Sequence, residues 1–156
     1  MIGETLSLVS RREEIQRFQA LHADSLGELT EAVREGVPAT SVRELATLLG
    51  MPVFELSAAL GISPSTIRRK SRKAQLLAVD QGERVIWLQR IVGLVQHMVE
   101  KCGDPTEFDA AQWTGKWLRR TQPCLGGKRP LDYLDSVTGQ QLLSGLLMQN
   151  VGGTYA

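Results

Sequence analysis

Residues 54–73 read FELSAALGISPSTIRRKSRK, a pattern typical of two short helices joined by a tight turn. Gly61 stands where a helix commonly ends with a positive φ, which glycine adopts at little cost because it lacks a Cβ. Ser63 is a favourable N-cap, and Pro64 suits the first position of a second helix, where no backbone N–H is needed. The stretch therefore predicts a helix-turn-helix unit.

Four apolar residues in this stretch would hold the two helices together. Leu56 and Leu60 lie four residues apart and share one face of the first helix. Ile62 is placed to fill the corner, and Ile67 points back at the first helix. This packing leaves one set of residues outward, and we predict that it binds DNA: Ser63, Ser65, Thr66, Arg68, Arg69, Lys70, Arg72 and Lys73.

Positive charge is concentrated on the second helix. Five of the six residues from Arg68 to Lys73 are cationic, and no acid occurs between Glu55 and Asp80, although the net charge of the chain is only +1. A local excess of cations on such a helix is typical of a helix that enters the DNA major groove. The methylene stem of Lys70 is expected to cover the first helix while its ammonium reaches solvent. The simpler alternative is a solvated basic face.

Helical patterns continue on both sides of this unit, and no strand pattern of any length appears. A long helix is predicted from Asp80 to Cys102, followed by another from Thr106 to Thr121. Trp113 and Trp117 lie four apart, and we assign both to the core. The sequence predicts an all-α fold with three parts: an N-terminal helical extension (1–38), the helix-turn-helix region (39–78) and a small helical domain (79–156).

Residues suited to catalysis or to metal binding do not form a recognisable set. His22 and His97 have no cysteine or carboxylate partner at motif spacing, and Cys102 and Cys124 are far apart. We therefore predict no metal and no enzymatic activity. Free thiols, no signal peptide and no uninterrupted apolar run predict a cytoplasmic protein without a membrane span.

The last third of the chain carries a more specific pattern. Its elements are Trp117-Leu118, Pro123, Leu125-Gly126-Gly127, Pro130-Leu131-Asp132, Leu134 and Gly139. These residues resemble the toxin-binding domain of the Xre/MbcA/ParS-type antitoxins of bacteria. The helix-turn-helix is similar to the N-terminal half of the same family, so that the resemblance spans about residues 40–156.

The resemblance implies two partners, a RES-domain toxin and operator DNA. Antitoxins of this type sequester a toxin that consumes NAD and repress their own operon; the NAD chemistry belongs to the toxin, so no cofactor is implied for this chain. We place the toxin contacts on the glycine loop and on a flexible tail that begins at Gly152 and could enter the toxin's active site: Leu125, Gly126, Gly127, Lys128, Arg129, Gly152, Gly153, Thr154, Tyr155 and Ala156. A frayed chain end is the simpler interpretation of the tail.

One helix-turn-helix contacts few base pairs, so a homodimer that reads two half-sites is expected. A plain transcriptional regulator, whose C-terminal half binds a small ligand or only dimerises, remains open. A DNA-processing enzyme or its accessory subunit would need acidic metal ligands near the DNA, and the acid-free stretch between Glu55 and Asp80 argues against it.

Overall fold

The computed structural model describes residues 8–154, with side chains described over residues 9–149. This part of the chain is all-α, as predicted, and contains no strand; one isolated antiparallel bridge joins Pro38 to Leu76. The helices are α1 (Leu8–Ala23), α2 (Leu26–Glu35), α3 (Thr40–Leu49), α4 (Val53–Ala59), α5 (Pro64–Arg72), α6 (Val79–Cys102), α7 (Ala110–Leu118) and α8 (Val137–Thr154), with 3₁₀ turns at Pro123–Leu125 and Pro130–Tyr133.

The long helix α6 is the centre of the molecule. Helices α1, α2, α3, α7 and α8 all pack on it. Its apolar residues are buried on several sides, and Val85, Leu88, Ile91 and Val92 are fully enclosed. A helix surrounded in this way must be apolar around most of its circumference. None of the helices described, α6 included, is long and apolar enough to cross a membrane.

Helix α1 lies against α6 at very short range. A Cβ on Gly93 of α6 would lie 2.1 Å from the carbonyl oxygen of Phe18, so only glycine allows this approach. Phe18 is buried, and the Nε atom of Arg90 donates to the carbonyl of Leu21 at 3.1 Å, near the C-terminal end of α1. The N-terminal extension is thereby part of the same hydrophobic core as the rest of the chain.

Backbone hydrogen bonds close the ring of residues around α3, α4 and α5. The N–H of Ala39 donates to Gln75 O at 3.0 Å, and the N–H of Leu77 donates to Val37 O at 2.8 Å. These bonds flank the Pro38–Leu76 bridge and bring the start of α3 next to the chain that leaves α5. The helix-turn-helix is therefore held at its base by main-chain contacts.

Candidate functional site

The turn between α4 and α5 has the predicted geometry. Gly61 has φ +74°, and α5 begins at Pro64 with Ser63 as its N-cap residue. Leu56, Leu60, Ile62 and Ile67 are all buried, at 1% exposure or less. The predicted turn between the two helices and the predicted core of the helix-turn-helix are confirmed.

A buried serine closes this turn in a way that the sequence analysis missed. The hydroxyl of Ser57 donates to the carbonyl of Ile62, and the N–H of Ile62 donates back to Ser57 O at 2.9 Å. Ser57 is fully buried. Two reciprocal bonds across five residues fix the angle between the helices, and that angle sets how α5 is presented.

The outward face of α5 is largely free for a partner. Ser63, Ser65 and the cations Arg68, Arg69, Arg72 and Lys73 are exposed, and Thr66 is half-buried. These four cations form no ion pair with any residue whose side chain is described. The hydroxyls of Ser63 and Ser65 lie 2.7 Å apart, so Ser63 bonds to its neighbour rather than capping α5.

Lys70 differs from the other cations of α5. It is half-buried, and its Nζ donates to the carbonyl of Leu76 at 3.3 Å. The ammonium was expected to reach solvent, but it reaches back to the chain that follows α5. This contact helps to hold the end of the recognition helix and leaves Lys70 less available than its neighbours.

A chain of polar contacts through Arg84 joins the helix-turn-helix to the C-terminal half. Arg84 of α6 donates from Nε to the carbonyl of Leu60 at 2.7 Å, at the end of α4. Gln140 of α8 is fully buried and donates from Nε2 to Arg84 O at 3.0 Å and to Leu134 O at 2.9 Å. No sequence motif identifies this chain of contacts, because its members are distant in sequence.

A bidentate ion pair ties α4 to the residue that follows α7. Arg119 donates from Nη2 to Glu55 Oε2 at 2.9 Å and from Nε to Glu55 Oε1 at 3.1 Å. Two parallel bonds between a guanidinium and a carboxylate fix their relative orientation. The first helix of the helix-turn-helix is therefore held against the C-terminal half from both of its ends.

The loop of the predicted toxin contacts is a compact double turn. Gly126 and Gly127 have φ +65° and +81°, a backbone conformation that favours glycine. The N–H of Gly127 donates to Gln122 O at 3.0 Å, and the N–H of Gln122 donates to Lys128 O at 2.9 Å. Lys128 is exposed, while Arg129 is half-buried and pairs with Asp132 at 3.3 Å.

Two parts of the predicted toxin-contact set require correction. Leu125 is buried at 7% exposure, so its side chain supports the loop from inside and does not lie on the surface. The tail was expected to be flexible from Gly152 onwards, but α8 continues through Gly152 and Gly153 to Thr154, since helical hydrogen bonding continues past both glycines. Tyr155 and Ala156 lie outside the described residues.

An aromatic groove lies beside this loop and was missed as a surface. Trp117 is buried as predicted, but Trp113 is 39% exposed. The two rings are nearly parallel, with centroids 6.2 Å apart, and Phe108 is tilted against Trp113. They line a cavity of about 620 Å³ together with residues of α6 and α8. Exposed apolar surface of this kind commonly marks an interaction site.

The described residues contain no group of three or more histidine, cysteine, aspartate or glutamate side chains that could hold a metal ion.

Comparison with known proteins assigns both halves of the chain. Residues 28–90 match the antitoxin Xre-like helix-turn-helix domain, and residues 107–153 match the antitoxin Xre/MbcA/ParS C-terminal toxin-binding domain. The Prs ADP-ribosylating antitoxin of Sphingobium sp. (strain YBL2) is 32% identical over 139 residues, which cover 89% of this chain and 87% of that protein. The chain belongs to the Xre/MbcA/ParS family of antitoxins.

The two matches follow the structure of the antitoxin. The first contains α3, α4 and α5 and extends into α6, while the second contains α7, the glycine loop and nearly all of α8. The antitoxin thus combines a helix-turn-helix DNA-binding domain with a toxin-binding domain, and the family resemblance seen in the sequence is confirmed.

Proposed function

We propose that the antitoxin binds and neutralises a RES-domain toxin that consumes NAD, and that it represses its own operon through the helix-turn-helix. One observation carries this proposal: an exposed cationic recognition helix and a toxin-binding domain occur in one chain. The name of the Sphingobium relative supports the role of NAD, because ADP-ribosylation transfers ADP-ribose from NAD and so consumes it. Such a protein acts in the cytoplasm, where its operator lies.

The parts of the chain would then have separate roles. Residues 39–78 read operator DNA, residues 79–156 bind the toxin, and residues 1–38 brace α6. The close packing of α1 on Gly93 supports the last of these roles.

The recognition helix is tested by removing two of its free cations. Arg68→Ala with Arg69→Ala should weaken binding to the promoter region upstream of the gene. The fall of log affinity with log salt concentration should become less steep by roughly two, because each lost phosphate contact reduces the steepness by roughly 0.9. Fluorescence anisotropy at several salt concentrations measures both. Arg17→Ala with Lys101→Ala removes equal charge from α1 and the far end of α6, and should leave the slope nearly unchanged. Unaltered binding by the first pair would refute this assignment of α5.

The toxin contacts are tested with the product of the neighbouring gene, the candidate toxin. We expect Lys128→Ala with Arg129→Ala, and separately deletion of residues 152–156, to weaken suppression of NAD loss in cells that express this toxin. Operator binding should persist in both variants, since neither change touches α5. If the truncated protein suppresses NAD loss as well as the full-length chain does, the C-terminal end does not obstruct the toxin. Loss of operator binding instead would contradict the separate roles of the two halves.

The aromatic groove is a further part of the proposed toxin surface. Trp113 lies within the matched toxin-binding domain and presents a large apolar area at low entropic cost. Partly exposed tryptophans of this kind often dominate binding energy. Trp113→Ala should therefore reduce co-purification with the toxin at least tenfold, whereas Gln112→Ala, on the neighbouring exposed position, should not. Equal retention of the toxin by both variants would exclude the groove.

We also propose that the antitoxin is a homodimer, because paired half-sites require two recognition helices about one turn of DNA apart. Light scattering should return the mass of two chains. A single-chain mass both free and on DNA would contradict the proposal.

A further inference from the structure

The charge of this chain is divided very unevenly. Residues 56–79 and 110–131 contain no acid, yet each of these two stretches carries five of the eighteen lysines and arginines. The first stretch contains the recognition helix. The second stretch contains α7 and the glycine loop, and its positive charge is not explained by the helix-turn-helix.

Three of the cations in the second stretch lie together beside the start of α4. Lys116, Arg119 and Arg120 line one cavity of about 660 Å³, together with Gly50 and Gln112, and no acid lines it. All three are exposed. Lys116 and Arg120 form no ion pair with any residue whose side chain is described, so both charges are available to a partner.

The position of this cluster is set by backbone packing. A Cβ on Gly115 would lie 1.9 Å from the carbonyl oxygen of Leu49, so α7 is seated directly on the end of α3. Only Gly50, Met51 and Pro52 separate that carbonyl from the first residue of α4. In a helix-turn-helix bound to DNA, the first helix crosses the phosphate backbone. Lys116 in α7 and the two arginines that follow this helix therefore lie next to the helix that meets the backbone.

Arg119 has a different role from Lys116 and Arg120. Glu55 is the one acid within α4 and lies in its first turn, where a negative charge would repel the phosphates. The bidentate pair with Arg119 neutralises it. The pair is electrically balanced, and Lys116 and Arg120 add two net positive charges at the same end of α4.

We propose that the C-terminal end of α7 is a second DNA-binding surface, in which Lys116 and Arg120 bind backbone phosphates beside α4 while Arg119 masks the charge of Glu55. Nothing in the family matches assigns DNA contacts to this helix, which lies inside the toxin-binding domain. The contacts are to phosphate, so they add affinity without reading sequence. The inference rests on the helix-turn-helix binding DNA as proposed above.

Salt titration tests the two phosphate contacts. The probes are a duplex from the promoter region upstream of the gene and a duplex of the same composition in scrambled order. Lys116→Gln and Arg120→Gln should each make the fall of log affinity with log salt concentration less steep by roughly 0.9, and the double variant by roughly twice that. Affinity should fall by the same factor on both duplexes. Lys101→Gln removes one exposed charge from the last turn of α6 and should leave the slope close to that of the unmodified protein.

A rescue experiment tests the role of Arg119. Arg119→Gln should weaken binding to both duplexes, because Glu55 is left uncompensated near the phosphates. Adding Glu55→Gln should restore most of the lost affinity. If Arg119 acts only as a link between α4 and α7, the second substitution removes the other half of the link and gives no recovery, which overturns this part of the proposal.

Other outcomes separate the inference from the proposed function. If the unmodified protein fails to bind the promoter duplex, the DNA-binding function fails and the inference fails with it. If it binds, but Lys116→Gln with Arg120→Gln matches the Lys101→Gln control, only the inference is overturned. Loss of toxin binding by the double variant with unchanged DNA binding also overturns it and assigns the cluster to the toxin.

Discussion

The glycines inside the helices differ in whether packing requires them, as Gly115 and Gly145 show. A Cβ at position 115 would overlap the carbonyl of Leu49, whereas a Cβ at position 145 meets nothing within 4 Å. Both residues lie within helices, α7 and α8. Only the first is therefore required by packing, and the second weakens its helix through backbone entropy alone.

We expect Gly115→Ala to lower the free energy of unfolding by about 3 kcal/mol, since the new methyl group must push α7 away from α3. Gly145→Ala is the matched control and should raise the free energy of unfolding by about 0.5–1 kcal/mol. Urea unfolding followed by circular dichroism measures both. Equal effects of the two substitutions would show that α7 is not seated on α3 as described.

At the scale of elements, the junction of α1 with α6 contains several titratable groups. The rings of His22 and His97 are 5.7 Å apart, and Arg90 lies over the ring of Trp87. Burial, followed by the charges of Arg90 and His97, lowers the pKa of His22 below its ordinary value of 6.5. Burial also lowers the pKa of Arg90, and the charge of Asp24 opposes that shift. This end of α1 therefore favours neutral His22.

Acid should loosen this junction. The unfolded chain binds a proton at His22 near pH 6.5, while the folded protein binds it only at lower pH. Within this window the unfolded state holds more protons, so stability falls as the pH drops below about 6.5 and stops falling below the pKa of the folded state. Urea midpoints measured between about pH 7 and pH 5 should show this fall, and His22→Gln should reduce it.

Glu100, at the same junction, titrates outside the pH range in which His22 is expected to act. Hydrogen bonds from Gln96 and Gln19 lower the pKa of its carboxyl below 4.5. A carboxylate of this kind contributes stability that is lost only at still lower pH. If His22→Gln leaves the fall between pH 7 and pH 5 unchanged, groups other than His22 cause it.

At the scale of the whole molecule, the DNA-binding and toxin-binding halves share one core. The buried cluster runs from Ile15 through the helix-turn-helix to Leu147. Gln140 ties α8 to the backbone of Arg84 in α6 and of Leu134, and the side chain of Arg84 continues this link to Leu60 in the helix-turn-helix. A ligand on one half can act on the other only through such contacts, and any effect must be reciprocal in binding free energy.

We expect Gln140→Leu to lower the free energy of unfolding by about 1–3 kcal/mol, because the carbonyls of Arg84 and Leu134 lose a buried donor. Gln141→Leu, at the exposed neighbouring position of α8, should change it by less than about 0.5 kcal/mol.

Tryptophan fluorescence and hydrogen exchange at Ile62 should report a single shared unfolding transition. Two separate transitions would contradict a common core.

The local sequence was sufficient wherever the signal is local. Gly61, Ser63 and Pro64 mark the turn by their own backbone preferences, and α5 begins where they indicate. Leu56, Leu60 and Ile67 recur at helical spacing and are buried, and this determines which cations face outward. The glycine loop was likewise recognisable, because positive φ at Gly126 and Gly127 restricts the residues that fit there.

The relations between segments distant in sequence depend on the packing of the whole chain and cannot be read from local patterns. Trp113 and Trp117 lie four residues apart on one helix, yet Trp113 is 39% exposed and Trp117 is buried at 7%. Nothing near Gly115 in the sequence shows that the end of α3 touches it. Nor does the pattern around Arg119 predict that Glu55, 64 residues away, neutralises it. Side-chain periodicity specifies which face of a helix is apolar, whereas the partner of that face depends on how all the helices pack together.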